Sequence, residues 1–537
     1  MMDAGKLSEA LRAWSTRLGE RAVLDSAAAQ QRYGPCTTGV ERSIAAALRP
    51  RSVDDVVAIV DIARENTIPV YPVSTGHNWG YGSANPVTDG CVIVDLSGLD
   101  RVVNTDVALG LVTVEPGVTQ QILYDYLERN RLAFLVPVTG AGPHCSLVGN
   151  ALERGYGITP YADHFGAVTA MEAVLPNGRI YRSALSELGG GTVDRAFKWG
   201  IGPYVEGLFA QGSFAIVTQM TIALAPRPER TEAFFFGVAE DDGLETAVAA
   251  IQQVLRSLGS ATGSINLMNA RRVLAMIVPY PRARVGRDGI LPPEVAAELA
   301  ARNRVMSWTG LGALYGKAEV VRAARRVVRD ILKPAVSRLG FFSPQTASRV
   351  NRVLGSIHHV RDGSLARRAR ALDAALQIIS GRPSQVALAL AYWRSSFGPS
   401  PDREMDPARD GCGLIWYSPL VPMKPDNARR YVNIVNEICA AYGIEPLITL
   451  TSLSDRCFDS SVPLLFDRRD ANQTERAQSC YRALLDAGRR EGFLPYRISN
   501  HAMDWITHSD AASWELVSAL KTAIDPLGII APGRYAR

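Results

Sequence analysis

The sequence predicts an α+β protein built as two domains. Three observations lead there. The chain has 537 residues, more than one hydrophobic core usually serves. Its first half mixes short strands with single helices and lacks the regular alternation of a doubly wound sheet. Pro226-Arg-Pro-Glu-Arg230 then marks a change of texture, because paired prolines punctuate regular structure. Beyond it, long amphipathic helices alternate with strands.

In chain order, Glu9–Leu18 and Ala27–Gln31 are Ala-rich and read as helical. Over 53–66, Val53, Val56, Val57 and Val60 recur at helical spacing. A short apolar strand follows at 69–73, then strands at 92–95, 110–115 and 134–138, each β-branched or aromatic-rich and bounded by Gly, Pro or Asp, and strand-like segments at 168–175, 179–183 and 215–224. A helix is predicted over 119–130, and Pro176-Asn-Gly178 is a hairpin turn. After the boundary, helices are expected at 244–258, 293–302, 317–339, 364–379, 425–442 and 472–491. Strands are expected at 234–238, 386–392, 413–418 and 446–451. The arginine runs 322–326 and 367–370 fall on helices and read as solvated faces.

Composition excludes several classes. With 47% apolar and 21% charged residues, the chain is neither disordered nor low-complexity. A net charge of +5 from dispersed residues is too weak a signal for nucleic acid. Seven cysteines without a CxxC or zinc-finger spacing do not form a disulfide framework or a metal site. No apolar run reaches the roughly 18 residues of a membrane span, and residues 1–19 carry no signal-peptide pattern. A reduced, cytoplasmic protein is expected.

Chemistry concentrates in three glycine-rich turns. The first, Pro72-Val-Ser-Thr-Gly-His-Asn-Trp-Gly-Tyr-Gly82, follows a short strand. Gly76, Gly80 and Gly82 allow close approach of a ligand. Consecutive N–H groups in such a turn form an anion nest suited to a pyrophosphate, with Ser74, Thr75 and Asn78 adding polar groups. The spacing is neither GxGxxG nor a Walker loop. The second turn spans 140–157 and the third 207–218. Three such turns suggest one extended dinucleotide-like cofactor.

These segments resemble the vanillyl-alcohol oxidase and p-cresol methylhydroxylase family of FAD-dependent enzymes. The likeness lies in Ser74-Thr-Gly76, Asn78, Gly80-Tyr-Gly82 and Ala84-Asn-Pro86. It continues through Ser146-Leu-Val-Gly-Asn150, Glu153-Arg-Gly155 and Gly157-Ile-Thr-Pro-Tyr-Ala-Asp-His164. Met171-Glu172, Pro176-Asn-Gly178, Gly207-Leu-Phe209, Phe214-Ala-Ile-Val-Thr218, Tyr496-Arg497 and Leu527–Gly533 complete it. The resemblance implies a PCMH-type FAD-binding domain at 1–228, a cap or substrate domain at 229–495, and a C-terminal return to the FAD domain at 496–537. It also implies hydride transfer from substrate carbon to FAD, with reoxidation by O2. A cytochrome or quinone acceptor stays open, and so does a fold kept as a binding module, against which the intact glycine turns argue. The implied cofactor residues are Ser74, Thr75, Gly76, His77, Asn78, Trp79, Gly142, Cys145, Ser146, Gly149, Asn150, Glu153, Gly155, Gly157, Ile216 and Arg534. By analogy the protein is a homodimer.

The family pattern is also broken at informative places. His77 stands where phenol oxidases have Arg, and Cys145 where they have Gly. In berberine-bridge-like relatives a His and a Cys at these points bond to the flavin, which implies covalent attachment through His77 and a second bond through Cys145. A thiol in a nest beside His144 is expected to have a lowered pKa. The stretch Ser454–Asp459 lacks the His that relatives use for attachment, and no acid precedes the 140–142 turn. Tyr81, Tyr496 and Arg497 are retained. In phenol-oxidising relatives such a set binds a phenolate, which implies a catalytic role for them on an aromatic or bulky alcohol, phenol or amine. The tyrosine hydroxyls are then the expected proton-transfer groups, provided their pKa is lowered. His501 is expected to be a surface residue.

Overall fold

The computed structural model describes residues 3–343, 373, 375–507 and 511–536. Three sheets follow one another along the chain. The first has the order β1-β2-β4-β3, from Val23–Leu24 (β1), Ile44–Leu48 (β2), Val70–Val73 (β3) and Cys91–Asp95 (β4). Strands β2, β4 and β3 are parallel. Every residue of β4 is buried, as a parallel strand covered on both faces requires. The helix Val53–Asn66 packs here, started by Ser52 Oγ accepting from Asp55 N–H and ended by Thr67 in the left-handed region. The tail closes this sheet. Val70 N–H donates to Ile529 O, and Ala531 N–H donates to Val70 O, both at 2.8 Å.

The second sheet, β5-β6-β9-β7-β8, comprises Val102–Asp106 (β5), Leu111–Val114 (β6), Val168–Val174 (β7), Ile180–Arg182 (β8) and Ile216–Ala223 (β9). All its pairs are antiparallel. The third contains Arg230–Val238 (β10), Asn266–Asn269 (β11), Trp308–Gly316 (β12), Arg338–Phe342 (β13), Cys412–Pro422 (β14), Thr449–Ser452 (β15), Cys457–Asp467 (β16) and Pro495–Arg497 (β17). Its order is β13-β10-β12-β11-β15-β16-β14-β17. Gly310 and Gly312 face Phe236 and Phe234 across the β10–β12 ladder, where a Cβ would enter the rings. Long helices such as Leu244–Leu258, Pro425–Ala441 and Ala471–Glu491 bury one stripe each.

Three expectations are corrected. Residues 386–392 are a 3₁₀ segment, Val386–Tyr392, and not a strand. A short apolar run does not reveal its period, and Ser384 Oγ and Gln385 O accept from Val386 and Leu388 N–H to start a turn. Residues 134–138 make one bridge, Phe134 to Pro226, because Pro137 has no N–H for a ladder. The predicted 317–339 helix ends at Leu332 and is followed by β13, with Pro334 in the connection. The 364–379 helix and the 367–370 run lie largely outside the described residues.

Candidate active site

A cavity of about 470 Å³ lies where the glycine turns meet the third sheet. Its floor is the turn after β3, the start of the Leu147–Leu152 helix and the tail around Arg534. Its roof comes from β14, β15, β16 and the Val386–Tyr392 segment. Gly76, Gly80 and Gly82 have φ of 73°, 78° and 123°, a region that favours glycine. The N–H groups of Thr75, Gly76, His77 and Asn78 find no partner among the described residues. A Cβ at Gly80 would sit 2.2 Å from Trp416 Cδ1, so the turn lies directly against β14.

Free N–H groups around a glycine turn, beside a second turn at Ser146–Gly149, suit the pyrophosphate of a dinucleotide. Ser74, Thr75, Gly76, His77, Asn78, Trp79, Cys145, Ser146, Gly149, Asn150, Glu153, Gly155 and Arg534 all line the cavity. Gly142, Gly157 and Ile216 do not. Gly142, with φ of 92°, packs under Leu388, and Gly157 lies against His164. Ile216 is fully buried in β9 between the lining residues Ala215 and Val217.

His77 is half-buried, its Nδ1 3.0 Å from His144 O and its ring stacked on Trp79 at 4.9 Å. Burial lowers its pKa, so the imidazole is neutral near pH 7. Cys145 is buried, and burial raises its thiol pKa, which corrects the expected lowering. The His144 ring turns outward to Glu404 Oε2 at 2.5 Å and does not act on the thiol.

At one end Tyr81, Tyr496 and Arg497 converge. The Tyr81 hydroxyl lies 2.6 Å from Ser418 Oγ, and the Arg497 guanidinium sits 4.1 Å over the Tyr81 ring. Tyr496 packs edge-on to Tyr156 at 5.6 Å. Arg497 donates to Asn78 Oδ1. Its Nε is 3.0 Å from Glu153 Oε2 without the alignment of a hydrogen bond. Arg534 also pairs with Glu153, so Glu153 holds two arginines in place. Burial pushes Tyr81 up to about 12 and raises Tyr496 well above its ordinary value. These hydroxyls stay protonated near neutral pH, so the lowering that proton loss from them requires is not met.

Sequence reasoning passed over Asp459, although it noted the stretch that contains it. It sits on β16, 5% exposed, and its Oδ1 has no hydrogen-bond partner among the described residues. Burial raises its pKa to about 7, opposed by Ser461 and Arg497. Its charge is felt by Tyr81, Tyr156 and Tyr496. The available signal was a carboxylate among the small or apolar residues 457–466 of that strand. His501 is half-buried and not a surface residue. Its Nδ1 is 2.7 Å from Ser499 Oγ, and burial lowers it to about 4.

A family model described as an FAD binding domain matches residues 44–184. A 1'-carboxy-chondrochloren decarboxylase of Chondromyces crocatus is 34% identical over 536 residues, covering 99% of this chain and 98% of that protein. The 4-cresol dehydrogenase [hydroxylating] flavoprotein subunit of Pseudomonas putida is 29% identical, covering 99% and 95%. Among solved structures, p-cresol methylhydroxylase with substrate bound superposes with a TM-score of 0.88 at 26% identity, covering 99% and 97%. A 4-ethylphenol oxidase from Gulosibacter chungangensis shares the fold, with a TM-score of 0.89 at 24% identity, covering 100% and 98%. A cradle of this kind under a sheet-built cap defines an FAD-dependent oxidoreductase. The chain belongs to the p-cresol methylhydroxylase-type family of FAD-binding flavoproteins. Among the described residues no helix is long and apolar enough to cross a membrane.

Proposed function

We propose that the protein oxidises a phenolic substrate, within the wider class of aromatic or bulky alcohols, phenols and amines. The observation that carries this reading is the convergence of Tyr81, Tyr496 and Arg497 at one end of the cavity. Two protonated hydroxyls and a permanent cation grip a phenolate oxygen and lower the phenol pKa. FAD, when bound, would supply the acceptor for a hydride from the substrate carbon. Ser74 to Trp79, Ser146, Gly149, Asn150, Gly155 and Arg534 would hold the cofactor, and His77 and Cys145 would tether it. Glu153 keeps Arg497 and Arg534 in position. Asp459, poised near pH 7, takes up the phenol proton through the neighbouring tyrosines.

O2 is the proposed electron acceptor and a homodimer in the cytoplasm the proposed state, with domains at 1–228, 229–495 and 496–537. Titrating the holoenzyme with 4-propylphenol tests the substrate reading. A perturbed flavin spectrum is expected, weakened about ten-fold or more in Arg497→Ala. An unchanged affinity in that variant points to a non-phenolic substrate. Stopped-flow reoxidation in air, against reoxidation by a cytochrome, decides the acceptor.

A further inference from the structure

We infer that Arg272 is the anchor for a carboxylate carried by the substrate. This deepens the phenolic reading above and rests on the same cavity. Arg272 sits in the helix Ala270–Ile277, directly after β11, and its N–H is held at 2.9 Å by the Asn269 side chain. The side chain lines the cavity. Its Nε and Nη1 are enclosed and have no hydrogen-bond partner among the described residues.

The neighbouring arginine shows what a structural role looks like. Arg271 reaches the other way, to the buried Glu445 and to Leu291 O at 2.7 Å. Arg272 has nothing comparable. Burial alone lowers its pKa, to about 10, with no carboxylate contributing. The cavity's Glu153 is already shared by Arg497 and Arg534. The roof of the same cavity is partly apolar, with Leu388, Leu390, Ala391 and Trp416. An enclosed cation without a counter-charge is unfavourable unless a ligand supplies one.

The ligand chemistry follows from the donor set. A single guanidinium suits a single negative charge spread over two oxygens; a doubly charged phosphate would call for further cations. Asn266 also lines the cavity with an unpaired Oδ1. With its amide turned, the Nδ2 donates to the same anion.

The test uses the holoenzyme and three probes: 4-propylphenol, 3-(4-hydroxyphenyl)propanoate and 3-phenylpropanoate. Binding is read by flavin absorbance and calorimetry. The hydroxylated acid should bind about ten-fold or more tightly than 4-propylphenol. In Arg272→Met that ratio should fall to about one, and Arg272→Lys should restore part of it. The thermal midpoint of Arg272→Met should not fall, because an uncompensated cation is removed. No preference for the acid in the wild type, or a preference that survives in Arg272→Met, overturns the inference. If 3-phenylpropanoate binds as tightly as its hydroxylated analogue, and only with Arg272 present, the carboxylate anchor stands and the phenolic reading fails.

Discussion

Replacing Asp459 by Asn should remove a pH-dependent penalty on folding. In the native protein the carboxyl is moved by burial from 3.8 to about 7. Between these values the unfolded chain has lost the proton that the folded chain keeps. The unfolded state then binds fewer protons, so stability falls as pH rises through this window. Each unit is worth about 1.4 kcal/mol, which makes the full penalty about 4 kcal/mol. More than half of this accrues between about pH 5 and about pH 8. Asn keeps the shape of the neutral acid and does not ionise. Urea unfolding of wild type and Asp459→Asn at these two pH values isolates the effect, because the other titrating groups are common to both. The variant should gain about 2–3 kcal/mol on the wild type on going from the lower to the higher pH. A stability difference that is the same at both would refute the assignment of a buried acid with a raised pKa. The same variant should lose the limb of the activity profile that titrates near pH 7.

Three further outcomes are expected. Glu153→Gln leaves Arg497 and Arg534 facing each other without their anion; urea unfolding should show a loss of about 3–5 kcal/mol, and an unchanged midpoint would mean the arginines are held otherwise. Gly80→Ala places a methyl 2.2 Å from Trp416 Cδ1 at a φ of 78°; a cost of about 2–4 kcal/mol should appear as a lowered thermal midpoint. Acid precipitation should leave the flavin with the protein in His77→Ala and in Cys145→Ala and release it only in the double variant, whereas free FAD from the wild type would end the covalent proposal.

Much of the site was legible because its backbone is encoded locally. Gly76, Gly80 and Gly82 mark a turn from sequence alone, since few other residues adopt their φ. The pattern of Val53, Val56, Val57 and Val60 marks a helix because its period is intrinsic to the backbone. Segment 386–392 was not legible, because an apolar run of that length fits a strand or a turn until its neighbours choose. Cys145 shows the same limit in chemistry. A thiol beside a histidine in the sequence invites a lowered pKa, yet the chain turns His144 out to Glu404 and buries the sulfur.

The sequence by itself determined the class of fold and the glycine-rich turns, because each is written in residue types at local spacing; Tyr81, Tyr496 and Arg497 lie at opposite ends of the chain and were grouped by family resemblance. Only the tertiary structure decided that Asp459 is a buried acid with its pKa raised to about 7, that Glu153 is shared by two arginines and that Arg272 has no hydrogen-bond partner among the described residues. Those properties depend on what stands, or fails to stand, within a few ångströms. Residues as far apart as 153 and 534 reach that distance only when the chain has folded, and electrostatic energies inside a protein are set by that proximity and by the exclusion of water.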